Sequence, residues 1–228
     1  MVVLNPLSNK GRLSLFTNQS MSEQILPLFP LNVVAFPKEQ LNLHIFEPRY
    51  KQLIAEIAQT NGTFGIPLFV NGRVAEYGTE MALVSIEKTH PNGEMDIKTI
   101  GLRVFKIHDF FVKTPNKLYP LGMVTFVADV DNHCEGTQLA IVLELQKMYH
   151  ALGIRKEFSN FSSFAIAHHI GLNIEQEYQL LRMHNEKDRQ DFILQHLEKT
   201  VPIVIEAEKL KERVRLNGHF RNFDELKF

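Results

Sequence analysis

Apolar residues come in short bursts broken by proline through the first half of the chain and in long helical runs through the second. In LPLFPLNVVAFP, Leu26, Leu28, Leu31, Val33, Val34 and Phe36 supply β-forming material, while Pro27, Pro30 and Pro37 confine each strand to a few residues at an edge or bend. Leu41, Leu43 and Ile45 then alternate with Asn42 and His44, the period-two pattern of a half-buried strand. Pro48 stands where its fixed φ and missing N–H suit the first turn of a helix, which continues through YKQLIAEIAQ.

From Gly62 to Val127 the pattern stays that of strands. Phe64, Ile66, Leu68 and Val70 alternate with smaller or restricted residues, and Asn71-Gly72 marks a tight turn. YGTEMALVSIEK predicts a strand with Met81, Leu83 and Val84 facing a core, and HPNGEM a hairpin turn around Asn92-Gly93. The outgoing arm carries Met95, Ile97 and Thr99, then GLRVFKI, in which Leu102, Val104 and Phe105 are expected to pack while Arg103 and Lys106 face water. Leu121 to Val130 closes the β part. Strands this short cannot hide all their edges in a flat sheet, so a closed or nearly closed barrel is expected.

Beyond Asp131 the texture is helical. Thr137 to Leu152 places Leu139, Val142, Leu143 and Leu145 near helical spacing, with Gly153 as a C-cap. Ser159-Asn160 opens FSSFAIAHHIGL, which ends at Gly171, and Ile174 to Met183 forms a shorter helix that Asn173 can cap. Lys187 to about Leu216 reads as one long helix, kinked at Pro202. The expected class is therefore α+β: a poorly ordered extension over 1–22, a β-rich unit over 23–130, a helical bundle over 131–217 and a tail over 218–228.

LPLFPLNVVAFP followed by LNLHIFEPRY resembles the opening of the Lon substrate-binding domain, the amino-terminal region of ATP-dependent Lon proteases, which also occurs alone and inside cereblon-type proteins. GTFGIPLF, YGTEMALVSIEK and GLRVFKI continue the resemblance in the family's order, over roughly residues 24 to 215. The resemblance implies a six-stranded PUA-like pseudobarrel with one helix, a helical bundle behind it, and a role in holding protein substrates or partners. The ligand site of cereblon-type proteins belongs to a separate domain and is not carried over.

Charge and composition narrow the partners. Lys plus Arg total 25 against 26 for Asp plus Glu, so the basic excess that phosphate binding requires is missing and nucleic acid is not an expected partner. No window approaches the apolar length of a membrane-spanning helix, and the first twenty residues lack the apolar core and cleavage site of a secretory signal. The one cysteine, Cys134, excludes an internal disulfide and a multi-cysteine zinc site, in keeping with a cytoplasmic protein.

Catalytic chemistry finds little support. The phosphate-cradling G-x-x-x-x-G-K-[ST] loop is missing, as is a G-x-S-x-G elbow that would make Ser162-Ser163 a nucleophile. His168 and His169 are adjacent on a helical segment and project about 100° apart, so they do not form the i, i+4 metal pair. Cys134 beside His133 lies in a polar turn without a visible activating pocket. No cofactor and no metal are expected, and the chain reads as non-enzymatic.

Binding is the remaining reading. Glu47-Pro48-Arg49 either anchors the strand-to-helix junction by a salt bridge or cap, or joins Tyr50 in a peptide-docking surface. Seventeen phenylalanines must mostly be core, which leaves one or two to line a groove. The candidate peptide-binding set is Phe36, Phe46, Glu47, Arg49, Tyr50 and Phe69. Its ligand would be unfolded or extended polypeptide, held on the barrel surface or in the cleft between barrel and bundle. The alternative is an adaptor for one folded partner.

Overall fold

The computed structural model describes residues 22–158 and 161–220, so the expectations for residues 1–21, for Ser159-Asn160 and for 221–228 lie outside the described residues. Six strands form one sheet: β1 (Gln24–Pro27), β2 (Gln40–Ile45), β3 (Thr63–Val70), β4 (Arg73–Thr89), β5 (Met95–Phe111) and β6 (Leu121–Phe126). The order is β1-β6-β5-β4-β3, with β2 on β5 beside the β4 pairing, and every strand pair is antiparallel. The prolines do limit β1 to four residues. Past it, Leu28 and Leu31 make single parallel bridges to Gly65 and Leu68 of β3, with Phe29 N donating to Gly65 O at 2.7 Å, and the sheet closes on itself.

The tight turns obey their backbone chemistry. Asn71 and Gly72 both take positive φ (52° and 73°) between β3 and β4, while at the β4–β5 turn Gly93 does so (76°). Two sequence expectations in these strands fail for one reason. Val84 and Leu102 are exposed, because β4 and β5 slip register between Leu83 and Ser85 and between Glu80 and Met81, leaving each as the extra residue of a bulge. Val104 and Phe105, adjacent on β5, are both buried, since that strand has a core on each face.

α1 (Pro48–Thr60) begins with Pro48 in its first turn and buries Tyr50, Leu53, Ile54 and Ile57 against the barrel interior. The bundle comprises α2 (Glu135–Ala151), α3 (Ser163–Ile166) with a single 3₁₀ turn behind it (Ala167–His169), α4 (Ile174–Leu181) and α5 (Glu186–Phe220). Asn173 caps α4 through a reciprocal capping box with Gln176, at 2.9 Å in both directions. On α2 the inward face is Ile141, Leu145 and Met148, whereas Leu139 and Leu143 face water. That run is apolar all round, so spacing alone could not choose the face. α5 continues through Pro202, which stands at an exposed position of the helix. Helix also occupies residues assigned from sequence to the tail, up to Phe220.

Barrel and bundle share one core. Val34, Phe36, Leu68 and Val104 come from the barrel and pack with Ile141, Leu145, Phe164, Ile193 and Leu197 of the helices. The segment bringing Phe36 there runs against β5 at Gly101, where a Cβ would lie 2.1 Å from the Phe36 carbonyl oxygen. Lys38 N donates to Gly101 O and Gly101 N to Glu39 O, both at 2.8 Å, which fixes that approach.

Candidate functional site

A groove of about 760 Å³ opens on the outer wall of the barrel, and the elements around it explain its character. The first turn of α1 contributes Arg49 and Tyr50, the β3–β4 hairpin Phe69 and Arg73, the far end of β5 Phe110, and the bend just after it Val112. Leu118 completes the rim. Phe69 is 41%, Leu118 63% and Val112 67% exposed, a concentration of solvent-facing apolar side chains that a folded chain does not need for its own stability.

The loop that carries Leu118 is pinned to α1. Gln52 receives the Leu118 amide at 2.9 Å and donates to the Asn116 carbonyl at 2.8 Å, while Glu56 accepts from the Tyr119 hydroxyl at 2.5 Å and pairs with Lys117. The Lys117 ammonium, with help from Tyr119, holds the Glu56 carboxyl below its ordinary range. Floor contacts are equally fixed: His108 Nε2 meets Thr125 Oγ1 at 2.8 Å. The rim is therefore preset rather than formed by a loose loop.

Three of the six sequence candidates meet in this groove: Arg49, Tyr50 and Phe69. Arg49 Nε and Nη2 both reach Glu47 Oε2 at 2.8 Å, and its guanidinium lies 4.5 Å from the centre of the Tyr50 ring. Glu47 occupies the N-cap position of α1 without a side-chain capping bond, so of the two anchoring roles read from sequence it takes the salt bridge. Tyr50 is 4% exposed, stacked on Phe29 at 3.8 Å, and burial pushes its hydroxyl above the ordinary pKa. It forms a wall, with little surface to offer. Phe46 is 59% exposed but lies beside His44, away from the groove lining. Phe36 must be corrected: it is fully buried, stacked on Phe164 at 5.2 Å, and has no surface with which to touch a peptide. Sequence reading missed Val112 and Leu118, although the FFV run after the last β5 alternation was a visible signal.

The cleft between barrel and bundle is different in kind. Its hollow, about 350 Å³, is lined by Asp129, Asp131, Glu186 and Arg189 among others. Arg189 is buried, bridging Glu186 and Asp129 at 2.8 Å each, and Glu186 in turn accepts from the Ser163 amide at 2.7 Å. Such a network joins two units and suits an apolar peptide poorly.

The remaining candidates are resolved by their neighbours. His168 is held between Glu39 (3.2 Å) and Glu177 (2.7 Å), an ion-pair position and not a metal pair with His169. Cys134 sits at the N-terminus of α2, where hydrogen bonds from Thr137 keep its thiol below the ordinary pKa, and His133 turns to Asp131 at 3.2 Å. Among the described residues, the group whose geometry suits a metal ion is His44, His90 and Asp96, at the opposite end of β2 from the Phe36 loop.

A six-stranded antiparallel sheet closed into a pseudobarrel and followed by helices is the N-terminal domain fold of Lon proteases. The structure is similar to a Lon N-terminal domain protein from Xanthomonas campestris (TM-score 0.61, 24% identity, 75% of this chain and 97% of that one). It is also similar to the N-terminal domain of the Mycobacterium avium complex Lon protease (TM-score 0.58, 13% identity, 77% and 98%). Residues 25–199 match the model of the ATP-dependent protease La (LON) substrate-binding domain, and the chain belongs to that family. No curated protein matches the chain by sequence. None of the described helices is long and apolar enough to cross a membrane.

Proposed function

We propose that this chain is a non-catalytic module that binds extended, apolar-containing polypeptide in the groove on its barrel wall. One observation carries the reading: Phe69, Val112 and Leu118 stand exposed around a preset cavity whose rim also bears Arg49 and Arg73. Apolar anchors would supply affinity, and the Arg73 guanidinium would favour segments with a carboxylate flanking the apolar residues, Arg49 being paired with Glu47. Membership of a substrate-binding family supports the reading, as does a sequence without a nucleotide-binding P-loop.

The test is fluorescence anisotropy with a labelled, permanently unfolded model protein, set against the same protein folded. Binding is expected to the unfolded form, and Phe69→Asp or Val112→Asp should weaken it about tenfold or more, equivalent to about 1.4 kcal/mol. Equal affinity in variant and parent, or no binding to either form, defeats the proposal.

A second reading, an adaptor for one folded partner, draws on a separate surface. Ile203, Ala207, Leu210 and Val214 are exposed on α5 at alternating four- and three-residue spacing, the seam of a helix that packs on another helix. Leu210→Asp would abolish capture of one stoichiometric partner while leaving unfolded-chain binding intact.

A further inference from the structure

Sheet register brings together a donor set that the spacing of the sequence does not announce. On β2, His44 stands opposite Asp96 of β5, and His90 lies at the start of the β4–β5 turn, where its amide donates to Glu94 O at 2.8 Å. His44 Nδ1 is 2.6 Å from Asp96 Oδ1, and His90 Nε2 is 2.8 Å from Asp96 Oδ2. One carboxylate thus faces two imidazole nitrogens from two different segments, and the three donor groups lie within 4.8 Å of one another. The other nitrogen of His44, Nε2, reaches Glu94 Oε2 at 3.2 Å.

We propose that His44 Nδ1, His90 Nε2 and Asp96 bind a divalent transition-metal ion of the zinc class, with Glu94 orienting His44. Two imidazoles and a carboxylate form the donor set that zinc favours, and zinc–ligand bonds of about 2.0–2.2 Å set donors roughly 3.3 Å apart, so an ion would replace the two short contacts to Asp96 at 2.6 and 2.8 Å and draw in the wider separations of the set. That adjustment is within the reach of side-chain rotation, because all three groups are at the surface: the side chains of His44, His90 and Asp96 are 48%, 27% and 42% exposed. A carboxylate on the far nitrogen of a metal-bound histidine is the usual orienting partner, and Glu94 already occupies that place. Strand pairing fixes His44 against Asp96, and the turn closed by Gly93 N to His90 O at 2.8 Å fixes His90, so little backbone ordering remains for the ion to impose. Bound there, the ion would clamp the β4–β5 hairpin to β2, with its fourth position open to water or to a donor from a partner. None of the three donors lines the groove, and the site stands or falls independently of peptide binding.

The experiment is calorimetric titration of zinc chloride into the untagged full chain after removal of metal by chelator. One ion per chain is expected. His44→Gln and His90→Gln should each weaken uptake more than about a hundredfold and Glu94→Gln about tenfold to a hundredfold, since loss of an orienting partner costs that much in established sites. No saturable uptake, or uptake unchanged in the two histidine variants, overturns the site. Should a variant fail to fold, imidazole resonances of the unsubstituted chain decide. His44 and His90 shift up to one equivalent if the proposal holds, and shifts confined to the other histidines refute it.

Discussion

Barrel and bundle bury their apolar residues in unequal ways. The barrel has interiors of its own: Phe64, Ile66, Met81 and Ile97 around Leu53 and Ile54 of α1, and a smaller cluster of Leu26, Leu28, Phe105 and Val124. The bundle has none that is complete, because Val34, Phe36, Leu68 and Val104 of the barrel fill its centre. Consecutive residues show the arrangement most directly, with Val34 and Phe36 turned to the helices and Ala35 between them turned to the barrel interior. The outer wall of the barrel is therefore the floor of the bundle. Where helices cover that wall it is core; around Phe69 and Val112, which remain exposed, it is a groove.

Phe36→Ala tests this difference most severely. Removing a fully buried phenylalanine costs about 3–5 kcal/mol, and here the cavity would open between the two units. Chemical denaturation should show one cooperative transition moved to much lower denaturant, with helical circular dichroism and barrel tyrosine signals falling together. A curve that splits, with helix lost first and the barrel persisting, would mean that the bundle only leans on the barrel.

Much of this organisation was legible in the sequence, and the failures have identifiable physics. Period-two alternation located β2 because one of its faces is at least partly buried while the other is exposed, and Asn173 announced a cap because its side chain acts locally. Val84 and Leu102 misled because bulges cancel the alternation, an effect of pairing with a distant strand. Phe36 was placed on a docking surface because nothing in AFP distinguishes a residue facing solvent from one facing a second core. In the groove, Arg49, Tyr50 and Phe69 were within reach of sequence reading, whereas Leu118 arrives through its loop's bonds to Gln52, 66 positions away. His44, His90 and Asp96 share no spacing motif, since the sheet register assembles them.

A smaller effect sharpens the contrast from the bundle side. Asn173→Ala removes the bond to the Gln176 amide at one end of α4, at a cost of about 1 kcal/mol. Because the loss is local, the denaturation midpoint should fall modestly with its slope unchanged, and Gln176→Ala should produce part of the same loss through the reciprocal bond. A shift as large as that of Phe36→Ala would place the origin of bundle stability in its caps and not in the shared core.

The smallest expected effect is electrostatic and sits on the seam. His168 bonds Glu39 of the barrel and Glu177 of α4, with its ring 5.0 Å from that of Phe36. Its pKa rises from 6.5 to about 9, chiefly through the hydrogen bond to Glu39, against an opposing effect of burial and with further support from Glu177. A histidine whose folded pKa exceeds the unfolded value contributes stability that is fully present below pH 6.5 and is lost as pH rises through about 9. The side chain is partly solvated, so solvent screening keeps the contribution well short of what such a shift would be worth in a dry interior. His168→Gln is therefore expected to be less stable than the parent at pH 6 and to converge with it above pH 9.5, as read by denaturant midpoints across that range. Parallel curves for the two proteins would remove the ion pair from the account of the seam and leave it to the shared apolar core and the Arg189 network.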